Sequence, residues 1–130
     1  MRRLSAKLAS VLRELYECEC VSVARVVLHE GRPVKGLYDP SGPFVRVSIT
    51  AHDSLEDMIR TVIHEALHHA GLSEVWVDEA LDEVAMQSRS CYGLASMILL
   101  DAFFRYHKRR AREDHKRKAR VGQANPKAQT

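Results

Sequence analysis

The chain alternates between two hydrophobic periods. In "MRRLSAKLASVLRELYE" the apolar positions Leu4, Leu8, Val11, Leu12 and Leu15 recur every three to four residues, which predicts an amphipathic helix over about 3–17. "VSVARVVLH" (21–29) is rich in β-branched residues and predicts a strand. "EGRPVKGLYDPSGP" is punctuated by Gly and Pro, so it predicts turns with at most a short irregular strand near Lys35–Tyr38. "FVRVSIT" (44–50) then alternates cleanly, with Val45, Val47 and Ile49 on one side and Arg46, Ser48 and Thr50 on the other. That is the pattern of a half-buried strand.

Helical period returns at once. Asp53 is placed to cap a helix, with Glu56 three residues on as its capping-box partner. Apolar residues at 55, 58, 59, 62, 63, 66, 67 and 70 hold the period until Gly71 stops it. A further helix begins near Ser73 or Val75 and runs, with a break around Ser90–Gly93, into a basic tail. Residues after Arg120 carry no pattern and predict a disordered end. These elements predict a small α+β fold: an N-terminal helix, a short and mostly antiparallel sheet, a central helix and a returning helix.

A length of 130 residues supports one modest core. Cys18, Cys20 and Cys91 are an odd set with a poor spacing for a disulfide framework, which points to a reducing, cytoplasmic compartment. Cys18 and Cys91 read as small buried hydrophobes. The longest apolar run, "CYGLASMILLDAFF", is interrupted by Asp101 and is too short to span a bilayer, so no membrane association is expected. The net charge of +3 hides a division. Residues 1–104 hold 10 Lys+Arg against 15 Asp+Glu, whereas residues 105–130 hold 10 against two, Glu113 and Asp114. The expected organisation is therefore a body over 1–104 and a basic extension over 105–130. The extension reads either as a solvated helix end or, through residues 105–120, as a nonspecific contact with nucleic-acid phosphates.

The chemistry lies in "TVIHEALHHA" (61–70). His64 and His68 are four residues apart on the central helix, so their rings lie about 40° apart around its axis and can converge on one ion. Glu65 is about 100° from His64, close enough to reach a water at that ion without ligating. HExxH requires this spacing: two neutral imidazoles hold zinc and the carboxylate takes a proton from a water the metal activates. Chance alone would produce the pattern in about three of a hundred such chains, so a third ligand decides the matter. Three residues compete. Glu74 would complete "HEALHHAGLSE", an HExxHxxGxxH pattern with Glu in the last place and Gly71 permitting the turn. His69 points about 100° away from His68 and is a poor ligand. Glu79, in "EVWVDEALDEVA" on the next helix, is the preferred third ligand, and Asp82 or Glu83 is placed to accept the second ring N–H of a ligating histidine. His29, His52, His107 and His115 read as solvated residues, and Trp76 as a packing anchor between helices.

"HEALH" followed by "WVDEALDE" resembles the gluzincin metallopeptidases, in particular small single-domain members, over about residues 44–86. The resemblance implies one zinc ion held by His64, His68 and Glu79, with Glu65 as general base and a peptide bond as the target. It also likens "FVRVSIT" to the gluzincin edge strand, with Ser48, Ile49 and Thr50 offering main-chain bonds to an extended substrate. The ten residues between His68 and Glu79 are few for the large members of that family, and a second subdomain is missing. No oxyanion donor is identifiable; Tyr92 and His69 read as structural. Other readings are a catalytically silent, zinc-stabilised interaction or nucleic-acid-binding module, and an SprT-like DNA-associated protease. The latter family, however, takes its third ligand from a downstream histidine, and none follows His69 before His107. A peptide deformylase would need a glycine before Cys20, where "ECVS" has Glu19.

Overall fold

The computed structural model describes residues 2–42, 44–82 and 86–124. Its elements are α1 (Arg2–Glu17), β1 (Val21–Ala24), β2 (Val27–His29), β3 (Arg32–Val34), β4 (Gly36–Asp39), β5 (Phe44–Ser48), α2 (Leu55–His69), α3 (Glu74–Ala80) and α4 (Arg89–Ala124). The fold is α+β, as the alternating periods predict. Leu8, Leu12 and Leu15 of α1 are buried, as are Val45 and Val47 of β5, while Phe44 and Arg46 face out. Both amphipathic patterns therefore point their apolar sides into one core, which α2 completes through Met58, Ile59, Val62, Ile63, Ala66 and Leu67.

The run 21–29 is not one strand. It bends at Arg25, so that β1 pairs with β5 and β2 pairs with β3 in a separate hairpin. The larger sheet is mixed, in the order β1-β5-β4, with β1 parallel and β4 antiparallel to β5. β5 is thus the central strand and β4 an edge. The helix expected from Ser73 onward is likewise two helices, α3 and α4, with a turn at 86–88 just before Arg89 rather than a break at Ser90–Gly93.

α2 starts one residue later than the capping box suggests. Ser54 is extended and its hydroxyl accepts the Asp57 N–H at 3.1 Å, in place of an Asp53 cap. The C-terminal end is a Schellman turn: the Gly71 N–H donates to His68 O and the Leu72 N–H to Leu67 O, both closing the last turn. Gly71 sits at φ +100°, a left-handed conformation that Gly adopts at no steric cost.

α4 passes through position 105 without a break, so the body and the basic extension share one helix. Cys91, Ala95, Ile98, Leu99 and Ala102 bury one face of it. Arg105 anchors it to the start of β1, donating to Val21 O at 2.9 Å and Glu19 O at 3.4 Å. From His107 to Val121 every residue is exposed. Residues 121–124 continue the helix, and the disordered end expected after Arg120 otherwise lies outside the described residues. Among the described residues, no helix is long and apolar enough to cross a membrane.

The cysteines depart from expectation. Cys20 and Cys91 are buried, but Cys18 is exposed and paired with Cys20 in a disulfide. Glu19 between them has φ 55°, and this left-handed residue folds the two Cα atoms to 5.2 Å. A spacing of one residue looks unfavourable only while the backbone is assumed to be extended.

Candidate metal centre

The exposed face of α2 gathers the predicted pair. His64 and His68 pack edge to face with ring centroids 4.9 Å apart, each side chain roughly four-fifths buried. Gly71 then reverses the chain and α3 begins at Glu74, whose carboxylate returns over both rings. One oxygen lies 2.9 Å from His68 Nε2 and the other 3.5 Å from His64 Nε2. Ligand atoms of His64, His68 and Glu74 all fall within 4.8 Å of one another, the spacing a single cation requires.

Glu79 is not part of this cluster. It is exposed on α3, and the reason is rotational. α3 turns Val77 and Leu81 into the core, and Glu79 stands about 140° around the axis from Glu74, away from α2. The residue that does stand beside the two histidines is Glu74, the alternative in the sequence. Trp76 is 61% exposed and does not anchor the two helices, because Val77 occupies that role. Asp82 does not back a histidine. It accepts from Arg60 at 2.6 Å, and Glu83 lies outside the described residues.

The backing group for His68 is instead a main-chain carbonyl. Its Nδ1–H donates to Leu72 O at 3.0 Å, a bond made available by the turn at Gly71. His68 thus faces an acceptor at each ring nitrogen: the carbonyl at Nδ1 and the carboxylate at Nε2. A neutral imidazole has only one N–H. Either a second proton or a metal cation must lie on the Nε2 side, and a carbonyl-held imidazole is the usual outer arrangement of a metal ligand. The donor set of two imidazoles and one carboxylate fits zinc.

Glu65 is buried on the inner flank of the helix, and burial raises its carboxyl above the ordinary 4.5, partly offset by His64 and His68. Two clefts meet at this residue. A cavity of about 310 Å³ includes Lys35, Arg60, Thr61 and His64 in its walls. Another of about 510 Å³ includes His29, Tyr38 and His68. Gly36, Glu65 and Glu74 line both, so the two form one groove crossing the site.

β4 forms the wall of that groove, and Gly36 explains how closely it approaches. A Cβ there would stand 2.5 Å from the Thr61 methyl and 3.4 Å from Glu65 Oε1. The substrate-strand role expected for Ser48, Ile49 and Thr50 does not hold, because their N–H groups are spent on Lys35 O, Ala24 O and Arg25 O. β5 is central, and its main chain is not available to an added strand. β4 is. Since Lys35 and Ser48 face each other through the bond from Ser48 N–H, alternation turns the main-chain groups of Gly36 and Tyr38 to the open edge.

Two histidines have roles that periodicity did not reveal. His69 turns from the cluster to Tyr38, with the phenol 2.6 Å from Nδ1, and Glu14 lies 3.8 Å from Nε2. Burial and the nearby Asp39 and Glu14 raise the Tyr38 phenol above 10.0. His52 is not a solvated residue. It bridges the Ser48 carbonyl (2.5 Å) and the Thr61 hydroxyl (2.7 Å), tying the end of β5 to α2. Comparison with protein-family models, with curated proteins and with solved structures finds no match to this chain.

Proposed function

We propose that this chain is a zinc-dependent metallopeptidase of gluzincin type. The observation that carries the reading is the convergence of His64, His68 and Glu74 beside a buried Glu65 in one open groove. The third ligand stays a Glu on the following helix, as the gluzincin resemblance implies, although at Glu74 rather than Glu79. A bound zinc ion would supply Lewis acidity, lowering the pKa of a water and polarising a carbonyl. The residues supply the rest. Leu72 O accepts the His68 Nδ1–H, a tautomer that would leave the Nε2 lone pair free to hold such an ion. Glu65, with its carboxyl raised by burial, accepts a proton from the attacking water and delivers it to the leaving amine. The edge of β4 at Gly36 and Tyr38 aligns an extended peptide by strand addition, next to Glu65.

Replacing Glu65→Gln tests this reading. Zinc content should be kept while peptide cleavage is lost. A wild-type protein that binds zinc stoichiometrically but cleaves no member of a diverse peptide library is the silent, zinc-stabilised module instead.

A nucleic-acid contact is a second part of the reading, favoured by the exposure of α4 from His107 to Val121. Lys108, Arg109, Arg112, Lys116 and Arg120 fall within a sector of about 120° on that helix, a basic stripe suited to phosphates. A chain ending at Tyr106 should lose salt-sensitive DNA affinity; unchanged affinity removes this part. For location we propose the cytoplasm, where the Cys18–Cys20 disulfide of the structure would be reduced. The Cys18–Cys20 pair is a direct check, because thiol trapping in cells should find both cysteines reduced there.

A further inference from the structure

α4 has a second apolar face that the body does not use. Cys91, Ala95, Ile98, Leu99 and Ala102 point into the core. Roughly opposite them around the axis, Met97, Leu100 and Phe104 are 52%, 61% and 64% exposed. Their spacing of three and then four residues is a heptad step, and the exposed residues Gly93, His107 and Ala111 extend it in both directions. A Cβ on Gly93 would meet nothing within 4 Å, so this end of the seam is open space.

We propose that this seam joins two copies of the chain in an antiparallel α4–α4 dimer. The self-complementarity of the stripe favours a second copy. A two-fold axis near Leu100 sets Met97 of one copy against Phe104 of the other and lets His107 fill the space beside Gly93, the reciprocal contact of an isologous interface. Charge decides the orientation. Residues 105–121 carry nine Lys and Arg against Glu113 and Asp114, while residues 1–104 carry 10 Lys+Arg against 15 Asp+Glu. Parallel pairing would lay the two cationic segments side by side. Antiparallel pairing separates them and carries each past the partner's α4 N-terminus, toward an oppositely charged body. α3 and the residues just after it present an anionic stretch on that body, with Asp78, Glu79 and Asp82 and no Lys or Arg. The proposal is independent of the zinc reading, since no residue of the metal cluster takes part.

Sedimentation of the full chain at about 100 µM should give twice the 14.8 kDa chain mass. Leu100→Glu and Phe104→Glu should each return it to the monomer mass with the circular dichroism unchanged. Both positions are exposed in the single chain, so neither change disturbs its core. Orientation is read from a chain carrying Met97→Cys and Phe104→Cys, oxidised and mapped by mass spectrometry. Crosslinks between positions 97 and 104 of different copies are expected. A wild-type monomer overturns the dimer, including one that binds anionic vesicles or DNA through these residues. So does a dimer indifferent to both glutamates, and links of 97 to 97 and 104 to 104 overturn the antiparallel arrangement.

Discussion

Glu74 lies 2.9 Å from His68, six residues away along the chain, and its other carboxylate oxygen lies 3.5 Å from His64. Within "HEALHHAGLSE", then, the three ligands proposed for zinc, His64, His68 and Glu74, are brought together by one helix end and one turn. Zinc affinity should follow this local geometry. Glu74→Ala should weaken zinc binding by about a hundredfold or more, since even outer partners of metal ligands cost 10–100-fold. Glu79→Ala should leave it within about twofold, the residue being exposed and turned away. Competition with a chromogenic chelator measures both. Equal losses would put Glu79 back at the metal.

Gly71 couples the stability of the fold to that geometry. Its φ of +100° costs any L side chain, and no atom lies within 4 Å of a Cβ built there, so the penalty of Gly71→Ala is conformational alone. About 1 kcal/mol of stability should be lost in urea titration. Zinc affinity should fall as well, because Leu72 O and Glu74 are both placed by this turn. Gly71→Asn should be milder on both counts, Asn tolerating the left-handed region.

What could be foreseen from the chain divides along the range of the interaction. His64, Glu65 and His68 are set by the helical repeat alone, so their meeting is legible in the spacing. The choice between Glu74 and Glu79 depends on where α3 starts and which side it buries, and that is decided by Val77 and Leu81 reaching the core. Sheet order is further from view. The alternation of "FVRVSIT" marks the strand and its buried Val45 and Val47, though Ser48 on the other side is buried as well, and the same pattern serves a central or an edge strand. Only the pairing of β1 and β4 on its two sides shows that Ser48–Thr50 have no main chain to offer. Tyr38 and His69, 31 residues apart, meet through tertiary packing and leave no trace in local periodicity.

Gly36 is required by the contact between β4 and α2. Adding a methyl with Gly36→Ala would place it 2.5 Å from Thr61 Cγ2, a clash that one of the two elements must yield to. The expected cost is about 1–3 kcal/mol in urea unfolding. Thr61→Ser, which removes that methyl and keeps the hydroxyl bonded to His52, should recover most of the loss when combined with Gly36→Ala. Additive losses in the double variant would show that the clash is not the cause.

Lys35 and Asp57 give the fold a pH-dependent clasp across the mouth of the groove. Lys35 Nζ donates to both Asp57 oxygens, at 3.1 and 3.4 Å, joining the residue before β4 to the first turn of α2. The Lys35 hydrogen bond is the main reason that the Asp57 carboxyl lies below its ordinary 3.8, with burial opposing it and the Lys35 and His52 charges helping. A carboxyl depressed on folding binds its proton more readily in the unfolded chain. Its stabilisation is therefore complete above about pH 5 and is lost as pH falls through 3.8 and on through the lower folded value. Lys35 is 57% exposed, so water screens the pair and its worth is about 0.5 kcal/mol. Asp57→Asn should cost about that much at pH 7, measured by urea unfolding, and the gap between variant and wild type should close as the pH is lowered toward 3. Adding about 1 M salt at pH 7 should narrow the same gap. A difference that stays constant down to pH 3 would trace the cost to the N-terminal turn of α2 rather than to the ion pair.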